Sequence, residues 1–254
     1  MQTVSLILYK TLAGLLIFAT SLIAIIYPIK IRAHPKHHRT LELADAFASG
    51  IFLGAALFHM LPNAIQEFQL IYKSNLHFPL AEFYCATGFS ILLFLERLTS
   101  IKSSEFILAY MLTIILIVHA LIEGAVLGIN TTFISVFIIF IAILVHKSSE
   151  SFALAVTLNR HHLSLKHIIV IVSIFSLMTP LGILLGTTMA IHLPWQTSQM
   201  LIAIFNAFAA GTFLYMSTLH HINHHHHQHH YEGLVEFVCL LIGLGIMGGV
   251  AFWA

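Results

Sequence analysis

Two pairs of side chains have the types and spacing of metal ligands: His119 with Glu123, and His146 with Glu150. Residues four apart on an α-helix share one face, one turn apart, so each pair points an imidazole and a carboxylate the same way. Each pair lies inside a long apolar run. An ionisable group at the bilayer centre costs about 2.5–3.5 kcal/mol on insertion scales, so its default reading is functional. Two neutral imidazoles and two carboxylates form a four-ligand cage suited to Zn2+, with Fe2+, Mn2+, Co2+ and Cd2+ also able to bind. The two glutamates balance a divalent charge where an unpaired charge would be costly. The competing arrangement is four polar groups hydrogen-bonded between helices with no ion. Two His-x-x-x-Glu pairs at equal depth on adjacent helices favour the metal. Lys147, inside the second pair, would repel a second cation or pair with Glu123 or Glu150.

The elements that position these residues must be membrane helices. The chain has 254 residues, of which 59% are hydrophobic and 8% charged, with a mean hydropathy of +0.94. Soluble domains carry about 25% charged residues. The net charge of +1 argues against a polyanionic partner, nucleic acid included. Cys85 and Cys239 both fall in apolar spans, and no disulfide framework is implied. A span needs about 20 apolar residues, and the apolar runs give eight, at about 5–28, 43–65, 80–98, 106–129, 133–158, 167–191, 197–220 and 233–253. The chain therefore reads as a single all-α, polytopic transmembrane domain over 1–254. Basic loop residues orient it. Lys30, Arg32, Lys36, Arg39, Arg97, Lys102, Arg160 and Lys166 fall on one side and Lys73 on the other, eight against one, with Lys10 and Lys147 inside spans. Both termini are expected outside the cytoplasm.

Spans 4 and 5 are joined by the short loop Asn130-Thr131-Thr132, which makes them antiparallel neighbours and puts His119 and His146 near one depth. An internal repeat flanks them. Phe47 to His59 in span 2 matches Phe208 to His220 in span 7, with Phe, Ala, Gly, Phe, Leu and His in register, and Glu82-Phe83-Tyr84-Cys85 matches Glu236-Phe237-Val238-Cys239. Because spans 2 and 7 run in opposite directions, the units at about 5–98 and 167–253 are expected to be inverted repeats around the central helices at 106–158. Inverted repeats are a transporter signature with substrate bound at mid-depth. His59 and His220 then read as outer and inner stations of a pathway. The stretch His220, His221, His224, His225, His226, His227, His229 and His230 has ligand density enough to bind metal at the cytoplasmic side. Imidazoles bind transition metals and titrate near neutral pH.

At these residues the chain resembles the ZIP (Zrt-, Irt-like protein) family of divalent-metal transporters. The likeness rests on His119 to Gly124 as His-x-x-x-Glu-Gly and on His146 to Glu150 as His-Lys-x-x-Glu. Met178-Thr179-Pro180-Leu181-Gly182 and Ala209 to Tyr215 extend it to spans 6 and 7. The resemblance implies zinc-led uptake into the cytoplasm, across a cell (plasma or inner) membrane. It also implies a three-plus-two-plus-three helix arrangement with the site on helices 4 and 5. Many bacterial members carry Asn after the helix-4 His, Pro before its Glu and Asp in helix 5, forming a second metal position. Here those places hold Ala120, Ile122 and Lys147, nearer the eukaryotic-type branch, and one metal is expected. Zn2+ is expected as substrate, with no cofactor and no enzymatic activity; the partners are the metal ion, the bilayer and, as an open alternative, a second copy of the chain. Two other readings stand beside this one. A desaturase-like di-metal membrane enzyme would use the His-x-x-His-His box at His34, His37 and His38 and would need His34 where the transporter needs Glu150. An exporter would share the same ligands.

Overall fold

In lipid every backbone polar group must be satisfied within its own segment, which leaves helices as the outcome for long apolar runs in this chain. The computed structural model describes residues 2–32, 38–72, 78–102, 105–160, 163–192, 194–222 and 230–253. Eight helical rods cover the eight expected spans. The first is α1 (Gln2–Ala24) with α2 (Ile26–Arg32), and the second is α3 (His38–Gly54), a π-helical segment (Ala55–Met60) and α4 (Leu61–Tyr72). The others are α5 (Leu80–Lys102), α6 (Glu105–Ile129), α7 (Phe133–Arg160), α8 (Leu165–His192), α9 (Trp195–Ile222) and α10 (His230–Trp253). By length and composition six of the rods can cross a membrane, and α6 adds a shorter apolar stretch, Thr113–Ile129. The fold is all-α and polytopic.

Prolines mark the irregularities. Pro28 has no N–H for the carbonyl of Ala24, and the first rod breaks there into α1 and α2. Pro62 likewise cannot donate to Phe58, and the widened π turn falls just before it. That turn carries His59. Pro180 lies inside α8 without ending it. No proline interrupts α6, so His119 and Glu123 keep regular helical spacing.

Close backbone approach decides which rods pack together. A Cβ placed on Gly182 would lie 2.0 Å from the Leu121 carbonyl oxygen, and one on Gly124 would lie 2.1 Å from that of Thr179. Gly128 and Gly186, one turn further along, continue the same contact. This is a small-x-x-x-small interface, in which association comes from backbone-to-backbone packing instead of burial from water. Helix α1 lies against α7 and α8, and the buried Lys10 Nζ donates to the Gly128 carbonyl oxygen at 2.7 Å. That ammonium caps the C-terminal end of α6, where the helix dipole favours a cation. On the other side α3 packs on α10 and α5 on α9. There Gly243 faces the Phe47 carbonyl and Gly88 faces that of Phe208. Phe47 and Phe208 are equivalent positions of the sequence repeat, so the two crossings have the same construction. In space spans 1, 4, 5 and 6 form one body and spans 2, 3, 7 and 8 the other. Two satellite cores, one around Ile17, Leu127 and Phe140 and one around Phe68, Ala203 and Ala207, belong to one body each.

Candidate metal centre

The four predicted ligands converge. His119 and Glu123 come from α6, His146 and Glu150 from α7, and their ligand atoms all lie within 4.8 Å of one another. His119 Nε2 is 2.9 Å from Glu123 Oε1 and 3.6 Å from Glu150 Oε1. His146 Nε2 is hydrogen-bonded to Glu123 Oε1 and lies 4.0 Å from Glu150 Oε1. All four side chains are buried. Regular helix geometry in both rods explains why two i, i+4 pairs can face each other across the antiparallel α6–α7 contact.

Each carboxylate is divided between two neighbours. The Oε1 atoms face the imidazoles, while the Oε2 atoms face Lys147, whose Nζ is 3.3 Å from Glu150 Oε2 and 3.7 Å from Glu123 Oε2. Lys147 is fully buried and also lies over the Phe175 ring of α8, 3.9 Å from its centroid. The ammonium thus holds the backs of both carboxylates and leaves their fronts toward the two histidines. Two front atoms, His119 Nε2 and Glu150 Oε1, have no neighbour in hydrogen-bonding geometry. Buried polar atoms in a membrane core are costly when unsatisfied. A cation among the four would satisfy them.

A cavity of about 280 Å³ reaches His119 and Glu123 from the side where α4 and α6 end and α7 and α9 begin. Its walls carry Asn63, Gln66, Glu67, Asn130, Gln199 and Asn206. The five amides among them can replace some water around an arriving cation without adding charge, while Glu67 brings a carboxyl group to the same wall. Sequence reading passed over them because isolated Asn and Gln near span ends look like interfacial residues. His59 also lines this cavity. Its ring centroid is 5.5 Å from that of His146, so it stands beside the cage instead of at a separate station, and Asn63 Nδ2 lies 3.5 Å from its Nδ1. On the opposite side Phe213 lies 5.3 Å from the His119 ring and 4.9 Å from Phe52, centroid to centroid. Both phenylalanines are buried, and they pack with Leu116 and Met216 in the apolar core. The cage is therefore approached through polar walls on one side and covered by an apolar layer on the other. His220 and His221 lie on the α9 helix, with their side chains outside the description. His224, His225, His226 and His227, with the rest of that stretch to His229, lie outside the described residues.

Most of the chain is similar to known sequences. The family model described as ZIP Zinc transporter matches residues 7–106 and 100–251. Zinc transporter ZIP1 of Takifugu rubripes is 27% identical over 266 residues, covering 85% of this chain and 86% of that protein. Zinc transporter ZIP1 of Homo sapiens is 25% identical, covering 94% and 89%. Zinc transporter ZIP2 of Mus musculus is 24% identical, covering 86% and 87%.

Proposed function

Because the chain belongs to the ZIP zinc transporter family, we propose that it carries Zn2+ through the cage formed by His119, Glu123, His146 and Glu150, inward to the cytoplasm. Family membership makes it a divalent-metal transporter embedded in a membrane, not an enzyme. The observation that supports this seat is the convergence of four buried ligands from α6 and α7 with unpartnered donor atoms at its centre. Neutral imidazoles and carboxylates suit zinc and leave room for iron, manganese, cobalt and cadmium to compete.

The excess of basic residues on one side supports a topology with both termini outside the cytoplasm. The amide-lined cavity then opens outward, and an ion entering it exchanges water for amide oxygens before it meets His119 and Glu123. Dehydration is compensated at the cage, where two carboxylates supply full charge. The apolar cover at Phe213 and Phe52 separates the ion from the inner side. Access alternates when the body containing α6 and α7 shifts against the body containing α3, α5, α9 and α10. Interlocked glycine backbones tie α6 to α8 in one body, and α3 to α10 and α5 to α9 in the other, so movement is expected at the contact between the bodies. Released metal meets the histidine-rich stretch after α9. One metal is carried per cage, since Lys147 stands where a second cation would otherwise be held.

Isotopic Zn2+ uptake into metal-free proteoliposomes tests the reading. We expect saturable zinc uptake that falls when Cd2+, Fe2+ or Mn2+ is added outside. Absence of zinc flux, with flux of another divalent ion intact, would overturn the assignment of substrate.

A further inference from the structure

Lys147 poses a problem that the cage alone does not solve. In the state described here its ammonium has three neighbours: Glu150 Oε2 at 3.3 Å, Glu123 Oε2 at 3.7 Å and the Phe175 ring at 3.9 Å. When a divalent ion seats between the imidazoles and the Oε1 atoms, it draws electron density from both carboxylates. Their hold on the ammonium weakens, and the ion itself repels it. Lys147 is fully buried, so water is not at hand to take over. The aromatic face is the neighbour that the metal does not weaken. A ring presents its negative quadrupole to a cation, and the attraction grows when the pair is desolvated, as it is here.

We propose that Phe175 is a positioning residue for metal binding, the seat that retains the Lys147 ammonium when Zn2+ occupies the cage. This rests on the reading of the cage as the transport site, and it adds a residue from α8, outside the two ligand-bearing helices. Phe175 is fully buried with no exposed surface, and α8 is locked to α6 through Gly182 and Gly124. The ring is therefore held at a fixed place relative to Glu123. With the ring in place the ammonium stays behind the carboxylates. Without it the ammonium competes with the metal for them.

The test is a cycle of Phe175 and Lys147 variants, read by zinc uptake in proteoliposomes and by calorimetric Zn2+ binding to the purified protein. Phe175→Leu keeps an apolar side chain of similar bulk and removes the π face. It should raise the zinc KM and the dissociation constant about fivefold, with kcat within about a factor of two. Phe175→Tyr and Phe175→Trp keep the face, and Phe175→Tyr should stay within about twofold of the parent. In a Lys147→Met background, Phe175→Leu should change neither constant, because no cation remains to be seated. An equal loss of affinity in both backgrounds would make Phe175 a packing residue and overturn the proposal. So would unchanged affinity in Phe175→Leu. If Phe175→Leu does not fold, Phe175→Trp in the two backgrounds carries the same comparison, and an affinity change indifferent to Lys147 again rejects it. Absence of zinc binding and uptake in the parent protein would reject the transport reading itself, which separates the two failures.

Discussion

Lys147 occupies the carboxylates that a metal ion would use, so its charge works against binding. Taking a divalent ion and an ammonium about 5 Å apart at an effective dielectric near 20, the repulsion is roughly 6–7 kcal/mol before relaxation. Holding the carboxylates in place is worth less, about 1.5–3 kcal/mol per charge-assisted contact. Repulsion wins, and the expected result for Lys147→Met is tighter zinc binding, at least about tenfold, with a lower kcat because release becomes slow. Equilibrium binding and uptake kinetics on the same preparation check this; weaker binding would show that Lys147 acts by orienting the glutamates. At this scale the sequence was most legible where two ligands shared a helix face. His119 and Glu123, and His146 and Glu150, announce themselves by spacing within apolar runs. Phe175 does not, being one of 20 phenylalanines whose contact with Lys147 exists only once α7 and α8 are packed. His59 was visible as a histidine in the repeat, but its place next to His146 depends on the π turn before Pro62, which spacing rules for a regular helix do not describe.

Between elements, the α6–α8 contact sets where His119 and Glu123 stand. A side chain at Gly182 would meet the Leu121 backbone at 2.0 Å, and backbone cannot yield as a flexible side chain can. Gly182→Val should lower the melting temperature of the detergent-purified protein, at a cost of about 1–3 kcal/mol or more, and depress uptake by displacing the α6 ligands. Gly245→Ala on α10, where an added Cβ meets nothing within 4 Å, is the matching control and should leave both unchanged. Equal melting temperatures for the two variants would contradict the interlocked backbone. The eight rods were readable from the apolar runs between polar breaks, although among the described residues only six are long and apolar enough to cross a membrane by that measure alone. Their grouping was not. Only the folded structure shows that Gly124 and Gly128 pack against Gly182 and Gly186, and hence that span 6 lies with span 4.

For the molecule as a whole, the direction of flux follows from orientation in the bilayer. The proposed topology puts position 228 in the cytoplasm, so Gln228→Cys should label with an impermeant thiol reagent only from that side in a background where Cys85 and Cys239 are replaced. Labelling from outside would reverse the pathway. Replacing His224 to His230 with Ser should leave transport working while changing metal retention and the response to cytoplasmic metal, since the cage lies elsewhere. Loss of all flux from that replacement would place the stretch on the obligatory route. In the proposed mechanism one buried His2Glu2 cage carries the ion across. Zinc uptake into metal-free proteoliposomes by Glu123→Gln and Glu150→Gln, compared with the parent at matched protein content, tests it most directly. Each variant keeps the side-chain shape and removes one negative charge from a desolvated divalent site. Uptake should fall at least about a hundredfold for each, in line with the cost of removing one partner from a buried charge pair. Uptake by both variants at the parent rate would contradict it.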